Sequence, residues 1–254
     1  MLRLKFLLIL LYSCGLQWCI GQTVKVMSYN IHHGADREET DRLHEMGSFI
    51  KNSGADIIAL QEVDSVCTRT KGVDQMKILA AITGMHYAFV RHYAYQGGAY
   101  GMGILSRYPI LNIRNKRLTL LKGTKSSSTA MIVADIVISK SKKVIMASAH
   151  FALDDSSRWV QAQEVVDYLR QEKMPVIFVG DLNAKPEAPE INYLKKYFVD
   201  TDTGNVFTFP APHAERKIDY IFVKKSNLKR VKNYRVFIND LSDHLPVMAD
   251  ISLK

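Results

Sequence analysis

The sequence is poor in cysteine, with only Cys14, Cys19 and Cys67 among its 254 residues. Two of the three fall within the first 21 residues, so the rest of the chain holds one thiol and cannot form an internal disulfide. A small fold held together by disulfides is therefore excluded, and the protein must rely on its hydrophobic core. Because no partner for nucleophilic catalysis stands beside it, Cys67 is interpreted as a structural or surface thiol.

Other absences narrow the class of protein further. The Gly-x-Ser-x-Gly pattern of a serine nucleophile elbow is missing. No apolar run reaches the roughly 20 residues that a membrane-spanning helix needs. Low-complexity segments and internal repeats are also absent. A composition of 47% hydrophobic and 23% charged residues is ordinary for a globular protein. We therefore predict one continuous domain over residues 22–254.

The N-terminal 21 residues have the layout of a secretory signal. Arg3 and Lys5 precede a short apolar run over Phe6–Tyr12, and small and polar residues follow. A positive start, a short apolar segment and a small-residue cleavage region are typical of signal peptides. We expect an exported protein, either secreted or periplasmic.

The processing of this segment has more than one interpretation. Signal peptidase cleavage after Gly21 would leave Gln22 as the new N-terminus. The segment Leu11-Tyr12-Ser13-Cys14 resembles a bacterial lipobox, which would leave Cys14 lipidated and the protein tethered to a membrane. A retained N-terminal anchor is the third alternative.

The charge balance is basic, with a formal net charge of +9. A positive surface attracts nucleic acid, anionic phospholipid head groups and other phosphorylated substrates. A solubilising charge with no partner explains the same number equally well.

Short apolar segments alternate with amphipathic ones along the chain. The pattern of Val, Ile and Tyr bounded by turn residues predicts eleven strands: Val24–Ile31, Asp56–Gln61, His86–Tyr95, Gly103–Ser106, Ile110–Leu118, Ala130–Ile138, Val144–Ala149, Val176–Gly180, Ile218–Val223, Val231–Ile238 and Val247–Ile251. Helical spacing predicts four helices: Glu38–Asn52, Val73–Thr83, Ser156–Gln171, capped by Ser156, and Pro189–Tyr197. This mixture indicates a sheet-rich α/β domain.

Polar side chains that bind metals or move protons follow or end several predicted strands. They are Asn30, Glu62, His150, Asp181 with Asn183, Asp219, and Asp243 with His244. Any one of them has an ordinary structural explanation, such as a turn former or a satisfied core histidine. Because ligands gather at strand ends in α/β folds, the set together predicts an active site.

Elementary chemistry assigns roles within this set. A carboxylate such as Glu62, placed at the end of an apolar strand, needs a partner, and a hard cation such as Mg²⁺ or Mn²⁺ supplies one. Asp181 can orient or deprotonate a water molecule. Asn183 can hold a phosphoryl oxygen without adding negative charge, and His244 can do so as a cation.

Four blocks in this order resemble the endonuclease/exonuclease/phosphatase superfamily: Tyr29-Asn30, Gln61-Glu62, Gly180-Asp181-Leu182-Asn183 and Ser242-Asp243-His244. The resemblance spans Val24 to Ile251. The superfamily includes pancreatic-type deoxyribonucleases, abasic-site endonucleases, inositol-polyphosphate 5-phosphatases and bacterial sphingomyelinases. The resemblance implies a deoxyribonuclease-like four-layer α/β/β/α sandwich of two packed mixed sheets. It also implies phosphodiester hydrolysis by metal-assisted in-line attack of water.

By matching position, the resemblance implies a role for each site residue. Glu62 would be the main metal ligand, with Asn30 and Asp243 nearby, and Mg²⁺ the expected ion, Mn²⁺ or Ca²⁺ being alternatives. The expected catalytic residues are Asp181 and Asn183 at the water and phosphate, Asp219 supporting His244, and His150 as the second histidine. Abasic-site endonucleases carry an Asp where this chain has His32, which weakens the expectation of a second metal there.

The sequence says less about the substrate. Candidate substrate-binding residues are Arg107, Tyr100 and His32. Three hypotheses stay open: a nuclease or general phosphodiesterase, a hydrolase of phospholipid, phosphoinositide or glycolipid head groups, and a non-catalytic phosphate-binding module. The complete set of acidic and histidine residues argues against the third. The 5-phosphatase block Pro-Ala-Trp-x-Asp-Arg is absent, and we expect a monomer.

Overall fold

The structure is a computed structural model that describes residues 23–121 and 128–254. The predicted signal segment, including Cys14, lies outside the described residues. Within the described ranges, no helix is both long enough and apolar enough to cross a membrane.

Twelve strands and four helices make up the described chain. The strands are β1 (Thr23–Asn30), β2 (Ile57–Ser65), β3 (His86–Tyr95), β4 (Gly98–Ser106), β5 (Ile110–Thr119), β6 (Ser128–Ser139), β7 (Lys142–His150), β8 (Val176–Asp181), β9 (Phe198–Asp200), β10 (Asp219–Lys224), β11 (Leu228–Val236) and β12 (Val247–Leu253). The helices are α1 (Leu43–Ser53), α2 (Gln75–Thr83), α3 (Asp155–Leu169) and α4 (Pro189–Tyr197).

The strands form two mixed sheets of six. The first has the order β11-β12-β1-β2-β4-β3, and the second β5-β6-β7-β8-β10-β9. Among these described strands, only two pairs are parallel, β1 with β2 and β7 with β8. The two strands of each pair therefore end on the same side of their sheet. These carboxyl ends carry most of the predicted site residues.

Side-chain alternation explains the layers. Along β6, Ala130, Ile132, Ala134 and Ile136 belong to the core between the two sheets, whereas Met131 and Val133 pack on the side of α3 and α4. A third apolar cluster fills the space between the first sheet and helices α1 and α2. Because successive side chains on a strand point to opposite faces, strands that are buried on both faces need apolar residues throughout. The predicted four-layer α/β/β/α sandwich is confirmed.

The element predictions were correct in kind and less accurate at the boundaries. Helix α1 begins at Leu43 rather than Glu38, because the Asp36 carboxylate accepts the backbone N–H groups of Glu38 and Thr40 and holds a turn there. The predicted cap Ser156 is wrong, since Asp154 accepts the backbone N–H of Ser157 at 2.9 Å. Strand β4 starts earlier than predicted, and the short strand β9 was not predicted.

Two local features hold the site edge together. The Gln61 amide donates to the hydroxyl of Ser28 in its own sheet and to that of Ser148 in the other sheet, at 3.2 and 3.0 Å. Gly180 has a φ of +149°, and a Cβ there would lie 1.9 Å from the carbonyl oxygen of Ala149. Gly180 thus allows the close approach of the neighbouring strand β7.

Candidate active site

A cavity of about 700 Å³ opens at the carboxyl ends of the parallel strands. Seven of the predicted site residues line it: Glu62, Tyr100, His150, Asp181, Asn183, Asp243 and His244. Asn30 and Asp219 lie directly behind this wall and hydrogen-bond to residues that form it. The two sheets thus bring together groups that are more than 200 positions apart in the sequence.

His244 is held between two carboxylates. Its Nδ1 atom lies 3.0 Å from Asp219 Oδ2, and its Nε2 atom lies 3.5 Å from Asp181 Oδ2. Burial alone would lower the pKa of His244, but the charges of Asp219 and Asp181 outweigh burial and raise this pKa to about 10. His244 is therefore a cation at neutral pH, and its Nε2 atom faces the carboxylate of Asp181.

Asp181 is the common neighbour of both histidines. Its Oδ2 atom lies 3.4 Å from His150 Nε2, and its Oδ1 atom accepts the backbone N–H of Asn183 at 3.0 Å. Asn183 has a left-handed backbone, with φ of +49°, and its side-chain amide donates to the carbonyl of Phe151 at 3.0 Å. This turn fixes the orientation of Asp181 and places Asn183 on the cavity wall.

Glu62 reaches the cavity through a β-bulge. The pairing of β2 with β4 shifts between Leu60 and Val63, and Glu62 has a φ of +58°. Asn30 Nδ2 donates to Glu62 Oε1 at 2.9 Å and to Asp181 Oδ2 at 3.1 Å. Burial would raise the pKa of Glu62, but His150 and the Asn30 hydrogen bond outweigh it and lower this pKa. Glu62 is therefore an ionised carboxylate.

The cavity wall carries carboxylates of the kind that bind hard divalent cations. Glu62 and Asp243 both line the cavity and offer carboxylate oxygens, which are the ligands that Mg²⁺ prefers. Asn30 stays a predicted third ligand: its Oδ1 accepts the backbone N–H of His32 at 3.0 Å with one of its two lone pairs, while its amide nitrogen donates to the two carboxylates. In this arrangement Asn30 orients Glu62 and Asp181.

Two predicted substrate-binding residues lie elsewhere. Arg107 follows β4 beside the start of β2, at the opposite end of the strands from Glu62, and donates to the carbonyl of Ala55. His32 does not line the cavity, and its ring lies beside His33 and Glu39, with its Nε2 atom 3.6 Å from the Glu39 carboxylate. Arg107 and His32 are therefore outside the cavity wall, whereas Tyr100 lies on it, and a role of any of the three in substrate binding stays a prediction.

The wall also contains His92, which the sequence analysis did not single out, and Arg216. Arg216 stacks over the ring of Phe209, 4.6 Å from its centroid. His92 had a readable signal, since it continues the buried alternation of Ala88 and Val90 at a position where an apolar residue is expected.

Comparison with known proteins decides the family. The model of the endonuclease/exonuclease/phosphatase family matches residues 27–244. The chain belongs to this family. Its members include phosphoesterases such as nucleases and phosphatases, they hydrolyse phosphoesters, and they generally use a divalent metal.

Relatives with similar sequence or structure cover nearly the whole chain. The uncharacterized protein YbhP of Escherichia coli is 25% identical over 250 residues, which is 90% of this chain and 96% of YbhP. A family member from Bacteroides vulgatus superposes with a TM-score of 0.77 at 19% identity, covering 92% of this chain and all of that one. The mannosyl-6-phosphatase of Bacteroides thetaiotaomicron gives a TM-score of 0.70 at 19% identity, over 90% and 99% of the two chains. At these identities the solved structures show a shared fold.

Proposed function

We propose that the protein is an exported, Mg²⁺-dependent phosphodiesterase of nuclease-like activity. The observation that carries the proposal is the position of Asp181, whose Oδ2 atom lies 3.4 Å from His150, 3.5 Å from His244 and 3.1 Å from the Asn30 amide. A buried carboxylate between a cation and a second imidazole, with further carboxylates on the same wall, suits activation of water beside a phosphate.

Each residue then has a defined task. Asp181 orients the attacking water and accepts its proton. His244, held as a cation by Asp219, donates a hydrogen bond to a phosphoryl oxygen, where negative charge develops. Asn183 and His150 contact the remaining oxygens of the phosphate. Glu62 and Asp243 would hold the divalent ion, which supplies charge neutralisation at the phosphate and the leaving oxygen.

A phosphodiester is the favoured substrate because the chain is basic and its cavity extends past the catalytic carboxylates to tyrosine rings. Phospholipid or phosphoinositide head groups are the alternative class, supported by the proposed export and by the lipobox-like segment that ends at Cys14. A sugar phosphate belongs in the same comparison, because a structural neighbour is named as a mannosyl-6-phosphatase. A non-catalytic phosphate-binding module is the remaining alternative.

The decisive experiment is an assay of purified protein with and without Mg²⁺. The panel holds plasmid DNA, abasic DNA, RNA, sphingomyelin, phosphoinositides, a sugar phosphate and a bis-aryl phosphodiester. We expect hydrolysis of phosphodiesters that stops in EDTA and in the His244→Ala variant. Hydrolysis that survives EDTA would disprove the metal-dependent mechanism. Cleavage of lipids alone would replace the nuclease-like substrate and keep the mechanism.

Export is tested separately by mass spectrometry of the protein recovered from outside the cytoplasm. An N-terminus at Gln22 would indicate signal peptidase cleavage, and an acylated Cys14 would indicate a membrane tether. Retention of the whole chain inside the cell would contradict export.

A further inference from the structure

Five lysines surround an open depression at the end of the molecule opposite the candidate active site. The depression has a volume of about 660 Å³. Its lysines, which we call the lysine patch, are Lys140, Lys142, Lys143, Lys173 and Lys254. The other described residues that line the depression are neither acidic nor aromatic. The surface therefore has one sign of charge and no ring on which a base could stack.

The fold brings the lysine patch together from three places in the chain. The turn between β6 and β7 and the start of β7 supply three of the lysines, the connection from α3 to β8 supplies Lys173, and Lys254 follows β12. The Nζ atom of Lys142 donates to the carbonyl of Leu253 at 3.4 Å, which joins the turn to the end of β12. The arrangement of the lysines is therefore set by the second sheet and by the strand β12 of the first.

Acidic side chains close in sequence do not neutralise the lysine patch, because they have other partners. Glu172, next to Lys173, pairs with Arg114 at 2.7 Å, and Asp167 pairs with Arg170 at 3.2 Å. Within residues 23–121 and 128–254, the five lysines make no ion pair, and all but Lys142 are exposed. Like charges held close together repel one another, and an anionic surface placed against them relieves this repulsion.

The N-terminal segment joins the domain beside the lysine patch. Strand β1 starts at Thr23, whose hydroxyl oxygen lies 3.1 Å from that of Ser252, on the strand that leads to Lys254. The apolar run Phe6–Tyr12 and Cys14 precede Thr23, so a retained anchor or a lipidated Cys14 would attach the domain to a membrane at this end. The connection from Cys14 to Thr23 can reach at most about 30 Å.

The catalytic cavity lies at the other end of the same strands. Strand β7 runs from Lys142 in the lysine patch to His150 on the cavity wall, and a strand of this length spans roughly 27 Å. The cavity wall carries four carboxylates: Glu62, Asp154, Asp181 and Asp243. An anionic surface therefore attracts the end with the lysine patch and repels these carboxylates at the cavity end.

We propose that the lysine patch is a docking surface for an anionic lipid bilayer, and that docking turns the catalytic cavity away from the membrane. Each lysine near an anionic surface strengthens binding about fivefold. A single acyl chain binds a membrane only marginally, and a basic patch is a second signal that makes the attachment stable. Surfaces that bind single-stranded nucleic acid add aromatic rings, which the described lining of this depression lacks. The docking surface is independent of the proposed hydrolysis.

Two triple variants separate the lysine patch from the overall charge of the protein. The first replaces three exposed lysines of the patch: Lys140→Gln, Lys143→Gln and Lys173→Gln. The matched control replaces three exposed lysines near the cavity end: Lys71→Gln, Lys77→Gln and Lys185→Gln. Both variants lose the same charge, and circular dichroism checks that both keep the fold.

Binding is measured by sedimentation with vesicles of phosphatidylcholine alone and of phosphatidylcholine mixed with phosphatidylglycerol. The ratio of the two binding constants cancels any apolar or acyl attachment, which does not depend on head-group charge. We expect this preference for anionic vesicles to be about a hundredfold lower in the patch variant than in the control. Equal preferences in the two variants, or no preference in the unaltered protein, would overturn the proposal. Loss of binding to duplex DNA with unchanged binding to anionic vesicles would assign the patch to nucleic acid and also overturn it.

The orientation is measured on the unaltered protein by acetylation of its lysines, followed by mass spectrometry. On anionic vesicles, the amines of the lysine patch should lose most of the reactivity that they have in solution, whereas Lys71, Lys77 and Lys185 should react at unchanged rates. Protection of these three lysines, or equal protection at both ends, would contradict a cavity that faces away from the membrane. Neither measurement requires the protein to hydrolyse a phosphoester, so the docking surface and the proposed function can fail separately.

Discussion

The Nδ1 atom of His244 lies 3.0 Å from the Oδ2 atom of Asp219, and both side chains are almost fully shielded from solvent. The pair is what keeps the imidazole charged in spite of its burial. The cationic form exists below the pKa of His244 and disappears as the pH rises through it. The charge of Asp219 therefore sets the pH above which His244 loses its proton.

Replacing Asp219 by Asn should move the alkaline limit of activity to lower pH. Without the charge of Asp219, the pKa of His244 falls from about 10 toward or below its ordinary value of 6.5. We expect kcat/KM of Asp219→Asn to decline at a pH more than one unit below that at which the unaltered protein declines. Asp167→Asn, on the exposed side of α3, should leave the pH profile unchanged. Coincident profiles for all three proteins would contradict the assigned role.

Replacing Asp181 by Asn should abolish most turnover while preserving the fold. The amide keeps the shape and the hydrogen-bonding capacity but cannot accept a proton from water. General-base groups contribute about 10²–10⁴-fold, so kcat should fall within that range and KM should change little. Steady-state kinetics measure the effect, and circular dichroism checks the fold. A kcat within threefold of the original, about 0.7 kcal/mol, would remove Asp181 from the reaction.

Replacing Glu62 by Gln should weaken the dependence on Mg²⁺. The new side-chain amide would still accept the Asn30 hydrogen bond but would lack the charge that binds the ion, so half-maximal activity should require at least about tenfold more Mg²⁺. Glu39→Gln is the matched control. Glu39 lies in a second cluster with His32 and His33, 2.9 Å from His33 Nε2, outside the cavity. If Glu39→Gln shifts the Mg²⁺ titration as much as Glu62→Gln, the ion is assigned to the wrong carboxylate.

Replacing Lys217 by Met should strongly destabilise the fold. Lys217 is fully buried, and its Nζ atom lies 2.9 Å from both Asp200 and Asp202. Without the Lys217 ammonium, the two buried carboxylates have no cationic partner. We expect the free energy of unfolding to fall by about 3–5 kcal/mol. Lys195, which lies 3.9 Å from Asp200 and is one-third exposed, provides the control. Its Met variant should lose less than about 1 kcal/mol. Urea denaturation measures both, and equal losses would contradict the role of burial.

The positions of the chemical groups were readable from the sequence because they obey a simple rule. Glu62, His150 and Asp181 each lie at or near the end of an apolar strand, and parallel strands bring such ends together. The strand and helix patterns also predicted the layered sandwich. Arg107 shows where the rule fails: it follows a strand too, but β4 runs antiparallel to β2, so its carboxyl end faces away from the site.

Other features depend on contacts that no local pattern encodes. The bulge of β2 against β4 decides that Glu62 faces the cavity, and a bulge depends on the register of two strands. The hydrogen bond from the His32 backbone N–H to the Asn30 side-chain oxygen is a contact of the same kind, because it depends on how the chain turns after β1. Long-range register and backbone hydrogen bonds therefore limit what the sequence predicts here.

Strand β3 lies at the edge of its sheet, whereas the strands that carry the central site residues lie in the interior. Asn30, Glu62, His150 and Asp181 lie on interior strands, each flanked by two neighbours, and a change there disturbs the packing on both sides. His92 and Tyr93 lie on a strand with a neighbour on one side only. Substitutions or insertions in β3 can thus change this part of the cavity wall while the residues at the centre of the site keep their packing. The edge strand can therefore vary in sequence while the catalytic residues on the interior strands stay the same.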